Sequence, residues 1–134
     1  MSGRAEGTFD VKVVPVDEKP FPDGLTLGRY SLDKEYHGAL EGTGTGEMLT
    51  GATPVEGAGA YVAMERVEGT LDGRRGSFLL QHRGTMGRGE QHLEITVLRD
   101  SGTGELAGIE GTLEIVVEGG EHRYVLEYTL AGID

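Results

Sequence analysis

Apolar residues in this chain recur at every second position, in short runs separated by clusters of glycine. Phe9, Val11 and Val13 alternate with Thr8, Asp10 and Lys12, and Leu93, Ile95 and Val97 with Glu94 and Thr96. Leu113, Ile115 and Val117 alternate with Glu114 and Glu118, and Tyr124, Leu126 and Tyr128 mark the inner row of a last strand. A period of two is the signature of a strand buried on one face, and no window carries a convincing helical period. About eight such strands at hairpin spacing suit a sandwich or an up-and-down barrel, and full closure removes the sheet edges that so glycine-rich a chain would expose. The expected fold is therefore all-β, a closed antiparallel β-barrel of about eight strands formed by residues 1–134 as a single domain. Strict alternation places Phe9, Val11, Leu32, Phe78, Leu80, Leu93, Ile95, Leu113, Ile115, Tyr124 and Leu126 in one core.

Turn chemistry divides the strands. Asp72-Gly73 reads as a type I′ hairpin, because both residues tolerate positive φ, although a longer turn through Gly76 would also fit. Gly87 to Glu90, Asp100 to Gly104 and Gly119-Gly120 are further turns. Residues 15–24 hold Pro15, Pro20 and Pro22 and read as one proline-rich loop, since proline cannot join a central ladder. A second strand over 25–36 follows, and a third over 38–50 is interrupted by Gly42, Gly44 and Gly46, which suit the bends of barrel closure. Glu-Gly-Thr recurs at residues 6, 41, 68 and 110 and Arg-Gly-Thr at 83. The unequal spacing argues for a strand-bending device rather than a repeat array.

The richest chemistry lies in the hairpin around Asp72-Gly73. On its second strand Phe78, Leu80 and His82 share a face, which turns His82 inward if Phe78 is core. On its first strand, placing Arg66 outward puts Tyr61, Ala63, Glu65 and Val67 inside. A buried carboxylate must be paired, hydrogen-bonded or protonated, so Glu65 and His82 form the candidate acid/base pair. By the same parity Tyr30, Lys34 and Tyr36 face the interior, with Tyr124 and Tyr128 from the last strand, and these are candidate ligand-binding groups. Polar groups converging in an apolar pocket are the usual recipe for a small-molecule site. The bland alternative is a structural hydrogen bond inside a filled barrel, with tyrosine hydroxyls at its ends.

Composition narrows the function classes. The 12 basic and 23 acidic residues give a net charge of −11, which disfavours phosphate backbones and anionic lipid. No cysteine is present, so thiolate nucleophiles, disulfides and Cys-based zinc sites are excluded. His37, His82, His92 and His122 form no metal-ligand spacing, and His92 and His122 are expected to be solvated, so neither metal nor cofactor is expected. The glycine run at 42–46 lacks the Gly-Lys-Ser/Thr ending and following helix of a phosphate loop. The first residues hold no apolar signal core and no segment reaches membrane-spanning length, which makes a cytoplasmic location the default.

Three blocks carry a resemblance. They are Tyr61 to His82, Ser101 to Thr112, and Leu32 to Gly38 with Gly46 to Leu49. Together they resemble an uncharacterised bacterial family assigned to the allene oxide cyclase-like barrels, which are calycin-like in form. The resemblance implies a small closed barrel, often an oligomer, and no particular activity, because fold does not carry function. With Leu79, Val116 and Val125 left on the nominal outer face, it leads to the expectation of a homo-oligomer, most simply a dimer. The expected function is a binding barrel for a small apolar or lipid-like molecule. A cofactor-free isomerase or cyclase and a purely structural oligomer are the alternatives.

Overall fold

A computed structural model describes residues 1–130. It contains eight strands: β1 (Ser2–Pro20), β2 (Thr26–Gly38), β3 (Leu40–Ala52), β4 (Gly59–Leu71), β5 (Arg74–Gly87), β6 (Glu90–Val97), β7 (Ile109–Glu118) and β8 (Glu121–Leu130). Each pairs antiparallel with the next, and β8 returns to β1, so the sheet closes into an up-and-down barrel. Three hairpins use two-residue turns with positive φ at both positions: Asp72-Gly73, Arg88-Gly89 and Gly119-Gly120. These primed turns match the right-handed twist of the strands they join. Leu71 pairs with Arg74, so the turn passes through Asp72-Gly73 and not through Gly76.

The proline-rich loop is much shorter than its composition suggests. β1 continues through Pro15 to Pro20 and pairs with β2 as far as Thr26, with a bulge between Pro15 and Asp17. The physical reason lies in the other edge of the strand. β1 meets β8 only over Ser2 to Thr8, so beyond Thr8 one edge of β1 is free, and a proline there costs no ladder bond.

Side-chain parity divides the interior into two unlike halves. In the closed half the inward row is packed solid: Tyr36, Val67, Phe78, Leu80, Tyr124 and Leu126 are buried. In the open half the same rows continue, but several of their side chains meet solvent, while Leu32 and Ala63 stay buried. Val11 and Val13 follow Phe9 on β1, and Leu93 precedes Ile95 on β6. Met86 follows His82 on β5, and Val117 follows Ile115 on β7. Val13 is 43% exposed, Leu93 40%, Met86 46% and Val117 63%. Val11 and Leu93 therefore belong to the expected face without being core, because alternation fixes which way a residue points and not how deep in the barrel it sits. His122 is also misread as solvated. It lies in the inward row, half-buried, with its ring 5.2 Å from that of Phe9.

Closure is uneven around the circumference. β6 and β7 share only the pair Thr96 and Thr112, and the connection between them, with a 3-10 turn at Gly104–Leu106, folds back along β5. The Thr103 backbone N–H donates to the Ser77 carbonyl, the Ser77 N–H to Thr103 Oγ1, and the Leu79 N–H to Ser101 Oγ. The loop thus serves as a substitute strand, buries Leu106 and half-covers Leu79. Val116 and Val125 are half-buried as well. The large apolar side chains that stay exposed on the outer wall of β2–β4 are Leu27, Leu49, Val62 and Met64.

The Glu-Gly-Thr glycines mark close strand approach. A methyl group at Gly42 would overlap the Glu68 carbonyl, and one at Gly69, its ladder partner, would overlap the Glu41 carbonyl. Gly7 and Gly111 meet neighbouring carbonyls in the same way. The closed end is tied further by Tyr124, whose hydroxyl accepts from the Leu40 N–H at 2.9 Å and lies 3.0 Å from the His37 carbonyl. Replacing it by Tyr124→Phe strands a buried N–H, and the expected loss is about 1–3 kcal/mol of unfolding free energy. Urea titration of the two proteins measures it.

Candidate functional site

Where the closed half ends and the open half begins, four polar side chains from three strands meet. Glu65 on β4 is fully buried. Its Oε1 accepts from Lys34 Nζ at 3.1 Å and from His82 Nε2 at 2.8 Å, and its Oε2 accepts from the Tyr36 hydroxyl at 2.5 Å. Lys34 and Tyr36 lie two residues apart on β2, and His82 lies on β5. Lys34 Nζ also sits 4.9 Å from the centroid of the Phe9 ring, a favourable cation–π placement.

β3 makes this meeting possible. It runs between β2 and β4, with Gly44 opposite Lys34 and Gly46 opposite Glu65. Any side chain on the inner face of β3 at these positions would stand between the two partners. With Gly42, Gly44 and Gly46 there, the Glu65 carboxylate reaches across a whole strand to β2. A methyl group at Gly44 would overlap Glu65 Oε2. The glycine run is thus neither a phosphate cradle nor only a bend; it is the gap the carboxylate occupies.

Electrostatics favour an ionised Glu65. Burial pushes its carboxyl up, but the hydrogen bond from His82, the Lys34 charge and the Tyr36 hydroxyl together outweigh it and hold the group below its ordinary value. Burial, then the adjacent Glu65 charge, raises the Tyr36 phenol well above its usual value, so Tyr36 stays a donor. An ionised carboxylate accepts hydrogen bonds only, so the His82 proton facing it sits on Nε2. Among the described residues Nδ1 makes no hydrogen bond, and no buried side-chain nitrogen or oxygen lacks a partner. The ring belongs to the inward row of β5 and is 3% exposed. Lys34 gives one N–H to Glu65 and keeps further donors free.

Above this floor stand two tyrosines, each half-buried. The Tyr61 ring lies over Gly84, its ladder partner, and the Tyr30 ring lies beside Gly28. Burial, with a smaller contribution from Glu65, raises the Tyr61 phenol. The structure thus brings together Glu65, His82, Lys34 and Tyr36, with Tyr30 on the wall above them. Tyr124 and Tyr128 lie apart, in the closed half, with their hydroxyls engaged. Tyr128 donates to Asp72 in the β4–β5 turn at 2.5 Å, and burial with that bond pushes its phenol up to about 12. Sequence parity places Tyr61 inside and reads Gly44 as a bend, without assigning either to the site, and it does not mark Gly84. Tyr61 shares the parity of Glu65, and that signal was available.

A second cluster lies on the outer wall. Asp10, Glu35 and His37 hold their ligand atoms within 4.8 Å of one another, and His37 Nε2 lies 3.1 Å from Asp10 Oδ2. That hydrogen bond raises the His37 imidazole, and an exposed ion pair accounts for the geometry without a metal.

Three outcomes follow from the buried floor. Glu65→Gln leaves Lys34 buried beside an uncharged amide, and the expected loss is about 3–5 kcal/mol of unfolding free energy at neutral pH. Because folding lowers the Glu65 carboxyl, its contribution is fully present above its unfolded value near 4.5 and is lost as pH falls through the lower folded value. The gap in stability between wild type and Glu65→Gln should accordingly narrow from pH 7 to pH 3 in denaturant titrations. Gly44→Ala forces the carboxylate off its partners and should cost about 1–3 kcal/mol, as overpacking does. Thr45→Ala, one position along and facing outward, is the matched control in thermal unfolding.

Comparison with known proteins is consistent with a closed barrel of undescribed activity. No curated protein matches the chain. It is 42% identical to a protein of unknown function from Shewanella oneidensis MR-1 whose crystal structure has been solved, with a TM-score of 0.93 over 99% of this chain and 100% of that one. That protein is described as a member of the DUF3224 family, and the model of the same family, "Protein of unknown function (DUF3224)", matches residues 5–128 here. The chain belongs to the DUF3224 family, whose function is undescribed.

Proposed function

We propose that this protein is a small-molecule-binding barrel whose open half takes an apolar molecule carrying one polar end. The observation that carries the reading is the contrast between the two halves of one interior. Val11, Val13, Leu93 and Val117 point inward above the ionic floor and are exposed, whereas Tyr36, Val67, Phe78 and Leu126 below it are buried. Exposed apolar surface that lines a concave wall is costly unless something covers it, and Val11, Val13, Leu93 and Val117 line such a wall. The apolar body of a ligand would cover them, with Tyr30 and Tyr61 along its sides. Its polar end would rest on the floor, where Lys34 offers N–H donors and His82 Nδ1 a lone pair. A barrel filled along its whole length, as a purely structural module would require, is the reading that these exposures disfavour. Among the described residues no helix is long and apolar enough to cross a membrane.

The test uses 1-anilinonaphthalene-8-sulfonate, an apolar fluorophore with one anionic group. A single saturable site is expected. Val13→Asp, which sets a charge on the inner wall, should weaken binding by about tenfold or more, equivalent to 1.4 kcal/mol. Val62→Asp, on the exposed outer wall of β4, should leave it unchanged. Equal binding by wild type and Val13→Asp would remove the site from the interior.

A further inference from the structure

One feature of the floor exceeds what binding needs. A ligand's polar end could be held by Lys34 alone, yet the imidazole of His82 is fixed from behind. Glu65 Oε1 accepts a hydrogen bond from the Nε2–H at 2.8 Å, and the same oxygen accepts one from Lys34 Nζ at 3.1 Å. Nδ1 makes no hydrogen bond among the described residues and is left as a lone pair. A carboxylate that locks the tautomer and orientation of an imidazole, leaving the opposite nitrogen toward a pocket, is the arrangement of an oriented general base. Beside it stands an ammonium group with unused N–H donors, in an apolar setting where fixed charge acts strongly on charge that develops during a reaction.

We propose that this floor is a proton-transfer centre. His82 Nδ1 takes a proton from a carbon acid seated in the open half, and Lys34 Nζ stabilises the negative charge that appears on its oxygen. The inference rests on the reading that the open half binds such a molecule, and it deepens that reading by naming the chemical class. The substrate class is a β,γ-unsaturated ketone with an apolar body and a hydrogen on the carbon between the carbonyl and the double bond. The Cα–H electron pair becomes the new C=C bond, the carbonyl π pair moves to oxygen, and the proton rests on Nδ1. The imidazolium then returns that proton to another carbon of the same molecule, which re-forms the carbonyl and shifts the double bond. Atoms and electrons balance with no oxidant, reductant or second substrate. Glu65 touches no reacting atom in this scheme and is a positioning residue. Tyr36, which donates to Glu65 Oε2, is another.

The probe is 5-nitrobenzisoxazole, a flat apolar carbon acid that makes the same two demands. Removing its C3 proton forms a nitrile as the N–O bond breaks, and the pair from that bond becomes a coloured phenolate for Lys34 to stabilise. Displacement of the bound fluorophore reports occupancy of the open half, and absorbance reports ring opening. Saturable opening faster than in buffer is expected. Loss of about 100-fold is expected in His82→Gln, the typical worth of a general base. Lys34→Met should lose roughly tenfold or more, as for a removed oxyanion donor. If either variant fails to fold by circular dichroism, His82→Asn and the wild-type pH profile decide. That rate should rise with pH through a single ionisation, with Glu65 bonded to the ring, Lys34 and Tyr36 bonded to the same carboxylate, and Tyr61 within reach of its charge. Probe that displaces the fluorophore yet opens no faster than in buffer overturns the proton-transfer centre and leaves the binding reading standing. Opening that survives His82→Gln, or a flat pH profile, overturns the role given to His82. A probe that neither displaces nor opens overturns both.

Discussion

Everything inside this barrel is arranged around one carboxylate that is denied water. An ionised Glu65 in an apolar interior would be prohibitively costly alone. It persists because three donors from two other strands converge on it, one of them a cation. That requirement dictates the composition of three strands. β2 must carry Lys34 and Tyr36 on one face, β5 must bring His82 inward, and β3 must be bare between them. The interior also changes character at this level, packed on one side and open on the other. Glu65 is held by bonds to both of its oxygens, and firmly held supporting groups are what a binding or reacting site needs from its scaffold.

Much of this was readable in the chain. The period-two rows gave all eight strands, and the turn residues gave the hairpins between them. Parity alone placed Glu65, His82, Lys34 and Tyr36 in the interior, since an outward Arg66 forces its neighbour inward. What parity lacks is depth and reach. Val13 and Phe9 are equivalent in pattern, yet one meets solvent and the other is buried, because shear between strands decides which end of a row the neighbouring strands cover. The meeting of Glu65 with Lys34 was hidden for a related reason. The two lie on strands that are not adjacent, and only the missing side chains of β3 let them touch. Pro15 and Pro20 look like loop residues in sequence because a proline's effect depends on whether its nitrogen faces a free edge, which pairing register decides. Tyr124 and Tyr128 shared the parity of the site but not its level.

Two tasks are separated within one continuous sheet. The closed half supplies stability through close-packed aromatic and aliphatic side chains, with Tyr124 and Tyr128 tying strands and a turn together by their hydroxyls. The open half supplies surface that the chain itself leaves uncovered. Because both halves are built from the same strands, substitutions in the packed half should act on stability and those on the inner wall on affinity. That division is what makes the roles of interior residues experimentally separable.

The single ladder pair between β6 and β7 bears on where the barrel would part. β1 to β5 form an unbroken curved wall with long registers, and β7, β8 and the first part of β1 form another. Where β6 faces β7, one rung joins them. Mechanically the molecule is a curled ribbon fastened along one margin by a single stitch, and its compliance is concentrated there. Parting the sheet at that margin would break one rung, whereas parting it at any other seam would break several.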